Sequence, residues 1–400
     1  MSLANGRHYL AIPGPSVMPD RVLQAMHRPA PNIYTGPLVE MTHTIVRDLK
    51  DVARTAHDVA IYIANGHGAW EAALSNTMSR RDRVLVLGTG RFCIGWGELA
   101  RGLGIETQVI DFGYRSPVDL DRVADALRGD TDRRIKGVLA VQVDTSSSVK
   151  NDIAGLRRVL DDTGHLALLF SDNIASLAAD EFHMDDWGVD VMVAGCQKGL
   201  MVPPGMSFVF FSPKANVARE TANCVTPYWD WRPRSAPQAY YQHFCGTAPT
   251  HHLYGLRVSL DMILKEEGLE AVWHRHAVLA RAIWAAVEVW GQGTEIALNI
   301  ADPARRSHAV TTVRMGGAHG TRLRHWVERQ AGVTLGIPLG AAEEEENGIL
   351  RIGHMGHVNA QMIMAVLGSL QAGMIALKVP HGPGGLEAAA GVLAAGQAGG

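Results

Sequence analysis

A lysine set in a stiff loop directly after an apolar run is the first residue whose surroundings suggest chemistry. The stretch Asp190-Val-Met-Val-Ala-Gly-Cys-Gln-Lys198-Gly-Leu-Met-Val-Pro203-Pro204-Gly205 presents Lys198 and then closes with two prolines and a glycine. A lysine on a fixed backbone and partly desolvated has a lowered pKa, and its amine can add to a carbonyl as a Schiff base. A lone lysine after a strand is more often a solvated surface residue; the rigid turn is what favours chemistry here. A second stretch, Leu168-Leu-Phe-Ser-Asp172-Asn-Ile-Ala-Ser176-Leu177, ends an apolar run in one carboxylate. Such a group beside a pyridine nitrogen keeps the ring protonated and therefore an electron sink, although capping the next turn is an equally ordinary role for Asp172. A third, Ala64-Asn65-Gly66-His67-Gly68-Ala69-Trp70-Glu71-Ala72, follows the apolar Val59–Ile63. Small residues opening a helix after a strand leave backbone N–H groups free to hold a phosphate, a motif too common to be specific alone.

These three stretches need a scaffold that brings strand ends together. From about residue 60 to 212, apolar runs (Val84–Gly88, Thr107–Asp111, Ile135–Val143, Ala167–Asp172, Val189–Ala194, Met206–Phe211) alternate with helix-period segments such as Ile153–Asp162. That alternation predicts an α/β fold with a mostly parallel sheet covered on both faces, and ligands at the carboxyl ends of its strands. A Pro-, Trp- and Tyr-rich connection, Pro227 to Pro249, leads into a long helical stretch from Leu253 to about Trp290, punctuated near Glu267-Gly268. Beyond residue 292 the pattern alternates again, which predicts a smaller C-terminal α+β domain. The expected division is an N-terminal segment over 1–20 packing with the small domain, a large domain over 21–290, a small domain over 291–380, and a Gly/Ala-rich flexible tail over 381–400.

Composition narrows the function classes. With 47% hydrophobic and 19% charged residues, the 400-residue chain reads as a soluble globular enzyme. A net charge of -3 and the lack of a basic run interleaved with aromatics argue against nucleic acid or an anionic membrane as partner. Cys93, Cys196, Cys224 and Cys245 are scattered, which suggests a reduced, cytoplasmic protein. No signal segment is expected at the N-terminus, and Val358–Val379 carries too many polar residues for a lipid-facing helix. Among the histidines, His251-His252 and His354-x-x-His357 have no third ligand at the usual spacing, so no metal is expected.

The order Gly66-His-Gly-Ala-Trp-Glu, then Asp172-x-x-x-Ser-Leu, then Gln197-Lys198 with Pro-Pro-Gly, resembles the class V aminotransferases, pyridoxal-phosphate (PLP) enzymes of fold type I. Within them the chain is most similar to the serine–glyoxylate and alanine–glyoxylate aminotransferases, from Ile12-Pro-Gly-Pro-Ser16 through Leu350-Arg351-Ile-Gly-His-Met-Gly356. The resemblance implies a large domain with a seven-stranded sheet and transamination between an amino acid and a small 2-oxo acid such as glyoxylate or pyruvate. The reaction would be ping-pong through pyridoxamine phosphate. Lys198 would hold the cofactor and carry the proton in the exchange. Asp172 would pair the pyridine nitrogen, Ile174 would pack under the ring, and Phe92 would stack on its other face. Gly66, His67 and Gly68, with Gln197, would surround the phosphate. Thr247 would reach the phosphate of the neighbouring subunit, which implies a homodimer with shared sites. Arg351 would bind the substrate carboxylate, with Tyr34 in the substrate pocket.

The sequence also departs from the family pattern. Gln142-Val-Asp144-Thr145-Ser146-Ser147-Ser148 stands where the family has His-x-Glu-Thr/Ala-Ser/Thr-Gly, so Ser146 is expected near both cofactor and substrate on an altered loop. Tyr34-Thr35-Gly36-Pro37 lacks an arginine, and Phe244 replaces a tyrosine that would contact phosphate. Three rivals are weaker. A desulfurase needs a late nucleophilic cysteine, and the last one is Cys245. An NAD enzyme is suggested by Gly88-Thr-Gly90, but Cys93 stands at the third glycine. A non-catalytic protein of this fold would have no use for Lys198, Asp172 and Arg351 together. Lyase activity or an unusual amine substrate stays open.

Overall fold

The computed structural model describes residues 2–340 and 347–396. Seven strands lie side by side in the order Asp58–Tyr62, Ser207–Phe211, Val191–Gly195, Leu168–Asp172, Ile135–Val141, Arg83–Gly88 and Glu106–Asp111. Ser207–Phe211 runs antiparallel to both neighbours, and the other pairings are parallel. Leu168–Asp172, Val191–Gly195 and Ser207–Phe211 are buried at every residue. This is why they read as nearly continuous apolar runs, interrupted only at their ends by Ser171, Asp172 and Ser207, rather than as alternation: strands covered on both faces bury both sets of side chains. The register places Val141 beside Asp172 and Asp172 beside Val193, so the carboxyl ends of three parallel strands open on one place.

Helices Gly66–Thr77 and Arg91–Gly102 lie on one face of this sheet around Trp70 and Trp96, while Pro37–Ala53 and Thr250–Asp261 lie on the other with Leu49 and Leu256. The punctuation near Glu267-Gly268 is a π-helical turn over Met262–Glu267 ended by Gly268 at φ 87°, before Leu269–Trp290 resumes as α-helix. Val310–Arg314 and Ile349–Gly353 form, with Ala297–Leu298, a small antiparallel sheet backed by His319–Ala331 and Ala360–Ala376. The N-terminal strand Tyr9–Ala11 pairs in parallel with Val333–Leu335 beside that sheet. Among the described residues no helix is long and apolar enough to cross a membrane.

The expected flexible tail over 381–400 is corrected. Gly385–Ala395 is a helix lying along Leu269–Trp290, with Ala389 fully buried. Alanine is the strongest helix former, and the small residues that resembled a linker let the helix sit against Trp290 and Val278. Residues 397–400 lie outside the described chain.

Candidate active site

The carboxyl ends of the parallel strands enclose a cleft of about 600 Å³, counting its open mouth. Gly66, His67, Phe92, Asp172, Ile174, Gln197 and Lys198, all singled out in the sequence, line it together. Lys198 follows Val191–Gly195 by three residues, and its amine donates to the Pro13 carbonyl. Its backbone carbonyl accepts from Ser16 Oγ (2.7 Å) and Met201 N (3.0 Å). Burial, reinforced by the charge of Arg351 and opposed by Asp172, lowers its pKa from the usual 10.5 to about 8. Near neutral pH a useful fraction of this amine is therefore an unprotonated nucleophile.

Asp172 ends its strand with its carboxylate buried. Oδ2 accepts from the Trp70 indole (2.7 Å) and Oδ1 from the Ile174 N–H (2.7 Å). Each oxygen keeps a second lone pair for a further donor. Burial raises the Asp172 pKa to about 7, against the pull of those two donors and of Lys198, with Asp144 adding to the rise. A buried acid with no permanent cation against it is poised to pair a ring N–H⁺, which would draw its pKa back down.

Gly66 opens the helix Gly66–Thr77, and a side chain there would collide with the Ile174 end that forms the cleft floor. Asn65 caps this helix, accepting from His67 N (3.1 Å) and Gly68 N (3.4 Å). Burial and Arg91 lower the His67 pKa, which keeps its ring neutral. Gln197 Oε1 is buried without a partner at the cleft wall. An orphaned amide at the wall of a cleft can turn its N–H₂ toward an anion, since the two ends of an amide are interchangeable in shape. A buried amine, a buried carboxylate, the Ile174 side chain, the Phe92 ring and an unpaired amide on one cleft together fit PLP.

Arg351 sits behind this wall rather than in it. Its Nε donates to Ile337 O (2.6 Å) and its Nη1 to Thr145 O (2.7 Å), and Thr145 lines the cleft. Burial lowers its pKa to about 10, with Asp144 opposing, so the guanidinium stays charged. Gly68 does not reach the cleft and packs near Trp229. Tyr34 (82% exposed) and Thr247 lie on the surface of the single chain and do not line its cleft. Ser146 lines a neighbouring cleft, and its hydroxyl is spent on Asp144 Oδ1 (2.6 Å).

The altered loop is taken up largely by structure. Gln142 bonds Asn173 (2.5 Å) and the Glu181 carbonyl (2.9 Å). Asp144 accepts from the N–H groups of Phe92 (2.9 Å), Cys93 (3.4 Å) and Ser146 (2.9 Å), which fixes the cleft's aromatic roof. Among these loop residues only Val143 and Thr145 line the cleft. Phe244 is buried in the large-domain core against Tyr240, where its ring makes packing contacts. The helix start that suggested NAD is closed by the chain's own Asp144 carboxylate, which would repel a pyrophosphate. Trp70, Thr145 and Pro13 escaped the sequence reading. Trp70 and Pro13 stand inside quoted motifs, but nothing local says that they reach positions 172 and 198.

The lowered Lys198 pKa has a kinetic consequence. Imine formation consumes the neutral amine, so uptake of PLP by the apoprotein should speed up about tenfold per pH unit below pH 8 and level off above it. An ordinary lysine would keep accelerating to above pH 10. Stopped-flow absorbance across pH separates the two.

The family description "Aminotransferase class-V" matches residues 8–353. Over 395 residues the chain is 34% identical to a serine–glyoxylate aminotransferase of Methylorubrum extorquens, covering 96% of this chain and 95% of that one. It is 33% identical to an L-aspartate–glyoxylate aminotransferase of Paracoccus denitrificans, covering 92% and 91%. The crystal structure of pyridoxamine–pyruvate aminotransferase from Mesorhizobium loti superposes with a TM-score of 0.88 at 26% identity, covering 99% and 100%.

Proposed function

This chain belongs to the class V aminotransferases, PLP-dependent enzymes of fold type I, and we propose that it moves an amino group from a serine- or alanine-like donor to glyoxylate or pyruvate in a ping-pong sequence. The observation that carries this reading is Lys198 and Asp172 opening on one cleft, with a guanidinium one residue behind its wall. Relatives with different donors, serine and aspartate, share glyoxylate in their names, which supports the acceptor more firmly than the donor.

PLP, when bound, supplies a conjugated cationic ring that delocalises the electrons released at the substrate α-carbon. Asp172 would hold the proton on the ring nitrogen. Lys198 Nζ would take the proton from the α-carbon and return it two atoms away, as base and then acid. Arg351 would orient the α-carboxylate in both half-reactions, and Val141, Val143, Ile174 and Phe92 would keep water from the reacting carbon. Surface-exposed Thr247 and Tyr34 support a homodimer in which each chain completes its partner's cleft. Free cysteines, Cys93 and Cys196 buried and Cys245 exposed, are in keeping with a cytoplasmic location.

Adding one amino acid at a time to the PLP-loaded protein tests the proposal. Serine or alanine should bleach the visible band and glyoxylate should restore it. A band unmoved by any common amino acid would overturn the reading.

A further inference from the structure

The residues that hold Lys198 from the far side come from neither the sheet nor the lysine's own loop. They come from the N-terminal strap Ile12–Ser16. Ser16 N donates to the Gln197 carbonyl (2.9 Å) and Ser16 Oγ to the Lys198 carbonyl (2.7 Å), while the Pro13 carbonyl accepts from the Lys198 amine. Gly14, at φ 107°, is stacked against the lysine: a methyl there would lie 2.6 Å from Cδ and Cε. Only glycine adopts this backbone cheaply and leaves that space.

The same strap reaches the substrate arginine. Tyr9–Ala11 leads into it from a parallel pairing with Val333–Leu335, and Gly336 exchanges backbone bonds with Arg351 (2.8 and 3.0 Å). A methyl on Gly336 would lie 2.5 Å from Pro13 Cδ and 3.0 Å from Arg351 Cβ. One on Gly353 would meet Pro13 N at 2.7 Å. The strap thus meets the amine through Pro13 and Gly14 and the strand that carries Arg351 through Ile12 and Pro13.

We propose that the strap Ile12–Ser16 is a positioning device for transamination, in which the Pro13 carbonyl docks the Lys198 amine whenever it is not bonded to cofactor and Ser16 fixes the backbone from which that amine reaches. A lysine side chain freed from its cofactor has four rotatable bonds to search. A docking acceptor within reach of the amine shortens that search and keeps the amine out of solvent. Ser16 does not line the cleft; its hydroxyl acts through the Lys198 backbone, and its N–H holds the backbone of the preceding Gln197. The proposal rests on the transamination reading above.

Ser16→Ala deletes one hydrogen bond to the Lys198 backbone. It should lower kcat about tenfold with the donor KM within about twofold, and should enlarge the isotope effect of an α-deuterated donor, because proton transfer becomes slower relative to other steps. Ser16→Thr, which keeps the hydroxyl, should restore both. In the apoprotein, Ser16→Ala should shift the pH at which PLP uptake levels off upward from about 8, since a loosened amine regains water. Ser16→Cys, a weaker donor of similar size, serves if the alanine variant does not fold. A kcat within twofold of wild type, or a loss confined to KM with the uptake profile unmoved, would overturn the proposal. If the wild type aminates no acceptor, the transamination reading fails, and the uptake profile alone still decides whether the strap holds the lysine.

Discussion

Lys198→Ala is expected to remove the visible absorption that the wild-type protein gains with PLP and to lower kcat by about 10³-fold or more. Two losses combine. Without Nζ no covalent bond to the cofactor aldehyde can form, and PLP would be left to the remaining proposed contacts, Asp172 and the Gln197 amide among them. The proton on the α-carbon then has no positioned base, and a positioned general base contributes roughly 10²–10⁴-fold by itself. Among the described residues lining the cleft, Lys198 is the only lysine; the other titratable groups are His67, whose pKa burial and Arg91 lower, and Asp172, proposed to be committed to the ring nitrogen. Added ethylamine should return part of the rate by entering the space left by the side chain, whereas a variant that had simply unfolded would not respond. The far-ultraviolet circular dichroism should match that of the wild type, because removing a buried amine relieves its desolvation instead of leaving a void in the apolar core.

Arg351→Ala carries the second-largest effect. A bidentate, charge-assisted contact to a carboxylate is worth about 1.5–3 kcal/mol or somewhat more per charged bond when desolvated, so kcat/KM for the amino donor should fall about 100-fold, with most of the change in KM. The structure adds a complication that the sequence alone does not show. Arg351 also holds the carbonyls of Ile337 and Thr145, and alanine leaves both without this donor. Arg351→Lys separates the effects: it keeps the charge but loses the fork, so binding should be weakened less than in the alanine variant while the planar orientation is lost. A KM unchanged in both variants would remove Arg351 from substrate binding and leave it as a strut between the domains.

Much of the scaffold was legible because it obeys simple burial. Leu168–Asp172 and Val191–Gly195 are enclosed on both faces, so Leu168–Phe170 and Val191–Ala194 are apolar, and the polar residues at and just beyond the carboxyl ends mark the site. Lys198 and Asp172 stood out by that rule. The contacts that tune them did not. Trp70 meets Asp172 across 102 positions and Pro13 meets Lys198 across 185, and neither local pattern nor spacing encodes which distant atom a side chain or carbonyl will face. The altered Gln142–Ser148 loop looked like a change in substrate recognition; folded, Gln142 and Asp144 prove to be spent on Asn173, Glu181 and the Phe92 helix. The Gly/Ala tail misled for the opposite reason. Its composition matches a linker, and only the presence of Trp290 and Val278 gives its small side chains a surface to pack on.

Reduction of the PLP-loaded protein with borohydride, followed by peptide mapping, bears most directly on the covalent bond at the centre of this account. The expected product is a single phosphopyridoxyl group on the peptide that contains Lys198. A label on any other lysine, or no label after the visible band has been bleached, would contradict it.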